Sequence, residues 1–232
     1  MEFPDPLIKG TLIKRYKRFL ADVALEDGSE VTAHCANSGT MLTVSEPGSE
    51  VWLSPARNPD RKLKYTWELI RVGGALVGIN TQHPNRIVQE AIEGGVPKEL
   101  QGYGSLRREV KYGKNSRIDI LLEDAARPQC FVEVKNVTMK RGEVAEFPDA
   151  VTARGTKHLH ELADQVADGR RAVMFYLVQR PDCSAFALAG DIDPAYADAL
   201  AKARDAGVEV VAYGCHVGTD GVRLAGPVDI RL

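Results

Sequence analysis

Along the first third of the chain, apolar and polar residues alternate in short runs with no helical period. Residues 7–16, 18–25, 30–35, 40–44, 50–53, 64–72 and 75–79 each read as a strand. Turn chemistry separates them. Glu26-Asp27-Gly28 signals a hairpin, Asn37-Ser38-Gly39 reverses the chain, and Gly73-Gly74 makes a tight turn. From about residue 80 the pattern changes. Ile87, Val88, Ala91 and Ile92 form an apolar helical face over 86–93, which Gly94-Gly95 stops. Strands follow at 106–112, 117–123 and 130–139, the first two joined by a turn at Gly113-Lys114-Asn115. A helix over 156–167 turns Leu159, Leu162, Ala163 and Val166 inward, and an apolar strand covers 172–179. Asp193-Pro194 opens another helix that runs to Ala206 and Gly207, before a last apolar strand at 208–213.

This order predicts an α+β protein of two domains. Residues 1–80 suit a small closed barrel of the oligonucleotide-binding (OB) type, with a small sandwich as the alternative. Residues 81–232 suit a mixed α/β domain. With 44% hydrophobic and 27% charged residues over 232 positions, the chain is neither disordered nor fibrous. No apolar run approaches the roughly 18 to 20 residues of a membrane span, and the acidic start lacks the pattern of a signal peptide. The expectation is a cytoplasmic protein with no membrane partner; a homo-oligomer is left open. Cys35, Cys130, Cys183 and Cys215 are scattered, with no Cys-x-x-Cys, and are expected to be reduced. His34-Cys35 and Cys215-His216 lie on strands, where neighbours face opposite ways, so neither pair makes a zinc site.

The formal charge of −2 hides an uneven distribution. Residues 7–21 hold no acid but include Lys9, Lys14, Arg15, Lys17 and Arg18. Arg57, Arg61, Lys62 and Lys64 form a second cluster, and Arg107, Arg108, Lys111, Lys114 and Arg117 a third. Tyr16, Phe19, Tyr65, Trp67 and Tyr112 are interleaved with them. Basic patches with aromatics suit a polynucleotide backbone; solvated strand faces are the alternative for any one cluster.

Two apolar strands carry the candidate chemistry. Asp119 sits in the middle of Arg117-Ile118-Asp119-Ile120-Leu121. Glu133 and Lys135 are two apart in Phe131-Val132-Glu133-Val134-Lys135-Asn136 and therefore share a face. Charges inside apolar strands are costly unless paired or bound to a metal. Adjacent strands can set Asp119 beside Glu133, and a hard dication relieves their repulsion. Oxygen-only donors of this kind suit Mg²⁺ or Mn²⁺. Lys135 would then orient a water or stabilise charge on a phosphate, which is the equipment of metal-assisted phosphodiester hydrolysis. A buried Glu–Lys salt bridge is the alternative. Arg154, Lys157 and His158 share a helix face if the helix starts early enough, although Gly155 places Arg154 in the lead-in loop. Lys111 and Arg117 form a basic edge just before Asp119.

The order of helix, three strands, helix and strand, with the Asp and Glu-x-Lys strands in the middle, resembles the PD-(D/E)xK nuclease superfamily. That resemblance implies Asp119, Glu133 and Lys135 as the catalytic set. Ile118 replaces the Pro usually written before the first acid. Glu90 stands on the preceding helix where some members carry a further metal-binding acid; an exposed helix residue is the equal alternative, and Glu109 is a weaker candidate. Longer phrases go further. GTLIKRYKRFL at 10–20, HCANSGTM at 34–41, RKLKYTW at 61–67, GINTQHPN at 78–85, EVKYGKNSRIDILL at 109–122, VEVKNVT at 132–138 and FPDAVTARGTKHLHEL at 147–162 resemble the sugar fermentation stimulation protein A (SfsA) family. The resemblance implies an OB-type barrel joined to a nuclease-like domain, DNA as partner, and a link to sugar (maltose) metabolism. Lys14, Arg15, Lys17, Arg18, Arg61, Lys62, Lys64, Lys111, Arg117, Arg154, Lys157 and His158 are the candidate nucleic-acid contacts. Binding is expected to be largely non-specific, through phosphates. Two readings stay open: Mg²⁺-dependent cleavage, or a non-catalytic regulator of sugar-metabolism genes that keeps the nuclease fold as a scaffold. An enzyme acting on a small sugar or nucleotide is disfavoured, because the chain lacks paired carboxylates flanked by aromatic sugar platforms and has no nucleotide-binding loop.

Overall fold

The computed structural model describes residues 1–113 and 116–232; Lys114 and Asn115, with the turn expected there, lie outside the described residues. The chain folds as a two-domain α+β protein. Strands β1 (Ile8–Tyr16), β2 (Leu20–Leu25), β3 (Glu30–Cys35), β4 (Glu50–Pro55), β5 (Tyr65–Val72) and β6 (Ala75–Gly78) form one sheet in the order β3-β2-β1-β4-β5-β6. A parallel pairing of β3 with β5, Ala33 to Tyr65 and Cys35 to Trp67, closes five of them into an OB-like barrel. Leu12, Val23, Val51, Leu53, Trp67 and Ile70 fill it. Closure leaves these five strands without a free edge, and β4 and β5 are buried on both faces because Trp52 and Leu69 point out of the barrel into the second domain's core.

Residues 40–44 are not the expected strand. Met41 and Val44 are both fully buried in the barrel, while Leu42 and Thr43 between them are exposed. Two buried residues three apart require a turn, and Met41 and Thr43 take positive φ values of 57° and 68°. The strand expected from residue 18 starts at Leu20, because Lys17 and Arg18 form a turn with φ of 48° and 62°.

The second domain runs α1 (Pro84–Glu93), β7 (Ser105–Tyr112), β8 (Ser116–Asp124), β9 (Arg127–Val137), β10 (Met139–Arg141), β11 (Val144–Phe147), α2 (Ala153–Ala167), β12 (Arg171–Val178), β13 (Ala185–Leu188), α3 (Pro194–Asp205), β14 (Glu209–Val217), β15 (Val222–Pro227) and β16 (Asp229–Arg231). The main sheet has the order β15-β14-β12-β9-β8-β7. Its centre, β9-β12-β14, is parallel and is apolar on both faces. Ile87, Val88 and Ile92 of α1 cover one face; Leu159 and Leu162 of α2, with Tyr196 and Leu200 of α3, cover the other. The third expected strand breaks at Thr138 into β9 and β10, and β10-β11-β13-β16 form a small second sheet.

Asp193 ties two helices together. Its Oδ1 caps α3 by accepting from Tyr196 N at 3.0 Å, and its Oδ2 accepts from Thr152 N at 2.7 Å. Thr152 in turn caps α2, its Oγ1 accepting from Gly155 N at 3.1 Å. With this cap α2 begins at Ala153, so Arg154 lies in its first turn and not in a lead-in loop.

The domains meet through polar contacts. Glu68 is buried on β5; it accepts from Ser54 Oγ at 2.6 Å, Asn80 Nδ2 at 2.7 Å and His83 Nε2 at 2.8 Å. Asp149 of the second domain accepts from Met41 N at 2.8 Å through Oδ2, and its carbonyl accepts from Thr40 Oγ1 at 2.6 Å. Gly39 is needed there, since a Cβ would stand 3.2 Å from Asp149 Oδ2. The first residues belong with the second domain. Phe3 N donates to Asp220 O, and Met1 joins the core cluster of α1. No helix among the described residues is long and apolar enough to cross a membrane.

Glu68 generates a stability prediction. Replacing it with Leu strands three donors at the domain junction. Glu68→Leu is expected to lower the unfolding free energy by about 3 kcal/mol, the scale of leaving buried polar groups unpaired, measured by urea denaturation; a loss under about 0.5 kcal/mol, the range of a neutral surface change, contradicts it.

Candidate active site

The two chemistry-bearing strands part where their charges begin. β8 and β9 pair from Leu122 with Cys130 through Ile120 with Val132. One step further, the same register would set Asp119 opposite Glu133, but the ladder stops there. The Val134 N–H left by the parting is taken by Asp119 Oδ2 at 2.8 Å. Asp119 Oδ1 accepts from Asn85 Nδ2 at 2.8 Å. A side chain therefore substitutes for a backbone rung, which satisfies a donor that would otherwise be orphaned. Asn85 sits in the first turn of α1, and its amide also reaches Glu109 Oε1 at 3.2 Å on β7.

Glu133 is 2% exposed. Its Oε1 accepts from Lys135 Nζ at 2.7 Å and contacts His158 Nδ1. Arg154 Nε donates to His158 Nε2 at 3.3 Å, one turn back on α2. The imidazole stands between Arg154 and Glu133, with Lys135 Nζ also 3.4 Å from Nδ1. His158 is thus a buried orienting group and not a surface cation. The other oxygen, Glu133 Oε2, is buried with no hydrogen-bond partner among the described residues.

The environment splits the two acids. Burial raises the Asp119 pKa, and the Glu133 charge raises it further, to about 6, against the pull of the Val134 N–H, Lys135 and Asn85. Burial also pushes Glu133 up, but the Lys135 charge and the His158 contact outweigh it, and its pKa ends below the ordinary value. The group that titrates near neutrality is Asp119.

Asp119, Glu133, Lys135, Arg154 and His158 line one cleft of about 350 Å³ between the domains, faced from the barrel by Asn37, Ser38 and Gly39. Its donor set fits a hard dication: two carboxylates, one of them with an unpartnered buried oxygen and the other held up in pKa by burial and then by repulsion. Among the described residues no group of three His, Cys, Asp or Glu side chains could hold an ion unaided. An ion bound by Asp119 and Glu133 would therefore complete its shell with waters or phosphate oxygens, as Mg²⁺ commonly does.

Other candidates lie elsewhere. Glu90 is not brought to Asp119. It is five residues after Asn85, about 140° round the helix, and pairs with Arg86 at 2.7 Å and the Met1 amine at 2.6 Å beside a separate cavity. Lys111 and Arg117 are exposed on β7 and β8 and do not line the cleft. Lys157 donates to Ser116 Oγ at 3.1 Å. On the barrel, Lys14 pairs with Asp22 at 3.4 Å, Arg61 donates to Thr66 Oγ1 at 2.9 Å, and Lys64 donates to Pro59 O at 2.5 Å. Arg15 spends its guanidinium on the carbonyls of Arg18, Asn37, Gly39 and Thr40, so it braces the cleft's barrel wall. Lys17, Arg18 and Lys62 are exposed. Asn85 and Asp149 are site residues that sequence reasoning missed. Both lie in distinctive phrases, Asn85 at the end of GINTQHPN and Asp149 near the start of FPDAVTARGTKHLHEL, and those phrases were the available signal.

Comparison with known proteins agrees with this architecture. Two family models match: the SfsA N-terminal OB domain over residues 13–79 and the sugar fermentation stimulation protein RE domain over residues 82–221. A sugar fermentation stimulation protein homolog of Paramagnetospirillum magneticum is 63% identical over 232 residues, covering 100% of this chain and 98% of the relative. The homolog of Rhodospirillum centenum is 62% identical over 97% of each chain. Among solved structures, that of Pyrococcus furiosus SfsA in complex with Ca²⁺ superposes with a TM-score of 0.91 at 29% identity, covering 100% of this chain and 98% of that one.

The split between the acids is testable by NMR titration without metal. Asp119 should titrate near pH 6, and Glu133→Gln should move it down by removing the repulsion. The sign for stability follows. Because the folded protein holds the Asp119 proton more tightly than the unfolded chain does, this group's contribution is complete below its unfolded pKa of 3.8 and is lost as pH rises to about 6. Asp119→Asn should remove that part of the pH dependence; an unchanged profile contradicts the assignment.

Proposed function

The chain belongs to the sugar fermentation stimulation protein (SfsA) family, and on that premise we propose that it binds DNA and hydrolyses phosphodiester bonds with a divalent cation, Mg²⁺ or Mn²⁺, at Asp119 and Glu133. The observation that carries this reading is the buried, unpartnered Glu133 Oε2 beside an Asp119 that resists ionisation. A buried carboxylate oxygen without a donor is expensive, and a cation is the partner that removes the cost. The Ca²⁺ complex of the Pyrococcus furiosus protein supports a hard-dication site in the family. When bound, the dication supplies charge neutralisation and a more acidic water.

The protein's own residues do the rest. Asn85 and the Val134 N–H hold Asp119 at the edge of the parted ladder. His158, oriented by Arg154, holds Glu133 Oε1, which turns Oε2 to the free position. Lys135 Nζ lies against Glu133 and inside the cleft, where it can stabilise negative charge developing on a phosphoryl oxygen. Arg154 opens α2 at the same cleft, adding a second cation for the phosphate. The exposed Lys17, Arg18 and Lys62 on the barrel add non-specific attraction.

A non-catalytic DNA-binding protein is the second reading. It draws on the same Lys135–Glu133 pair at 2.7 Å, which already neutralises one acid internally. The two readings part on turnover. Purified protein incubated with single- and double-stranded DNA and Mg²⁺ or Mn²⁺ is expected to cleave, and Asp119→Ala or Lys135→Ala should reduce the rate by at least about 100-fold, the scale of losing one preorganised charge-stabilising group. Equal cleavage by Asp119→Ala would falsify the assignment; DNA binding with no cleavage favours the scaffold reading. The cation should also raise the melting temperature more at pH 8 than at pH 5, because below about pH 6 it must displace the Asp119 proton.

A further inference from the structure

We infer that His83 and the barrel's Glu68, neither of which lines the cleft, are positioning residues for the candidate cation site. Through the first turn of α1 they hold the Asn85 amide on Asp119, so the barrel sets the geometry of a carboxylate that belongs to the other domain. The consequence for a cation rests on the reading that Asp119 binds one; the hydrogen-bonded path does not.

The segment between the domains is tethered along its length. Ile79 N donates to Glu68 O at 3.0 Å, Thr81 N donates to Ala36 O at 3.0 Å, and Asn37 Nδ2 donates to Ile79 O at 2.9 Å. His83 then meets Glu68 Oε2 through Nε2 at 2.8 Å, and its carbonyl accepts from Ile87 N at 3.0 Å to open α1. Asn85 follows in the same turn and donates to Asp119 Oδ1 at 2.8 Å.

The start of α1 takes its bearing from the barrel. His83 is the N-cap of the helix, yet its side chain makes no capping bond. A Ser, Thr, Asp or Asn at that position ordinarily folds its oxygen back on the first turn. The imidazole points instead to Glu68, which is buried and fixed by Ser54 and Asn80. Phe3 packs edge-on against the same ring, with centroids 6.1 Å apart. Ile87, Val88 and Ile92 seat the body of α1, but Asn85 lies ahead of them.

The Asn85 amide has two acceptors, Asp119 Oδ1 at 2.8 Å and Glu109 Oε1 at 3.2 Å. A small displacement of the first turn decides between them, because hydrogen bonds weaken steeply with misalignment. Release of the amide to Glu109 strips Asp119 Oδ1 of its donor. Asp119 Oδ2 in turn holds the Val134 N–H at 2.8 Å, so the last link of the path is a backbone amide in the parted ladder.

The test reads that amide by NMR hydrogen exchange in EDTA, with Val132 as the internal reference. Val132 lies inside the ladder, paired with Ile120, so a general loss of stability exposes both amides alike. His83→Ala leaves Ser54 and Asn80 on Glu68. It is expected to lower the protection of Val134 relative to Val132 by at least about fivefold, and to weaken Mn²⁺ binding measured by calorimetry by as much, the size of one lost hydrogen bond. His83→Phe, which keeps a ring against Phe3 and carries no donor, should behave like His83→Ala, whereas His83→Gln should restore both readouts. Asn85→Ala should match His83→Ala, and the double variant should lose nothing more. An unaltered Val134, an equal fall at Val132, additive losses in the double variant, or an unchanged Mn²⁺ affinity each overturns the inference. The premise fails separately. A wild-type protein that binds no Mn²⁺ but shows His83-dependent protection of Val134 loses the cation site and keeps the path. Equal Mn²⁺ binding by wild type and His83→Ala, with Val134 unaltered, removes the path and leaves the cation site.

Discussion

A carboxylate carried into the interior by an apolar strand is the constraint on which this structure depends. Glu133 lies on β9, at the centre of a sheet covered on both faces, and is almost fully buried at the floor of the cleft. Its neighbours are explained by that burden. Lys135 shares its face because of strand alternation, His158 is brought to it by α2, and Arg154 fixes the imidazole. Two groups satisfy one oxygen, with Arg154 behind one of them, and leave the second without a partner among the described residues. A structural salt bridge in a dry interior gains most when both oxygens are satisfied, so the pairing at Glu133 is incomplete as an ion pair.

The parting of β8 and β9 is the complement of that burden. A continuous ladder would place Asp119 and Glu133 side by side with the backbone fully paired. Instead Asp119 takes over one backbone donor, the strands diverge, and the barrel loop at 37–40 fills the opposite wall. The cleft is therefore assembled from both domains. Asp149 beside the cleft and Glu68 on β5, through His83, tie the domains together, and Trp52 and Leu69 of the barrel share an apolar core with α1.

Much of this was legible in the sequence because it depends on short periods. The barrel strands, the helix expected over 86–93 and found at Pro84–Glu93, and the shared face of Glu133 and Lys135 follow from spacings of two to four residues, while Asp119 joined them through the order of strands. What was not legible depends on contacts across long separations. Asn85 meets Asp119 across 34 positions, and nothing local distinguishes it from Glu90, which faces elsewhere on the same helix. His158 reads as one member of a basic face with Arg154 and Lys157; only the packing of α2 shows that this member is buried. Met41 and Val44 look like strand residues because they are apolar, but their three-residue separation fits a turn that plugs the barrel. The small sheet of β10, β11, β13 and β16 is built from segments of three or four residues, too brief for any pattern to register.

Asp193 caps one helix and fastens the start of another. Because α2 is anchored to the beginning of α3, the bearing of the imidazole on Glu133 is set by a helix that never touches the cleft. The domain thus has an adjusting screw outside its working parts. A change at the start of α3 would therefore be passed to the start of α2 while every residue lining the cleft stayed the same.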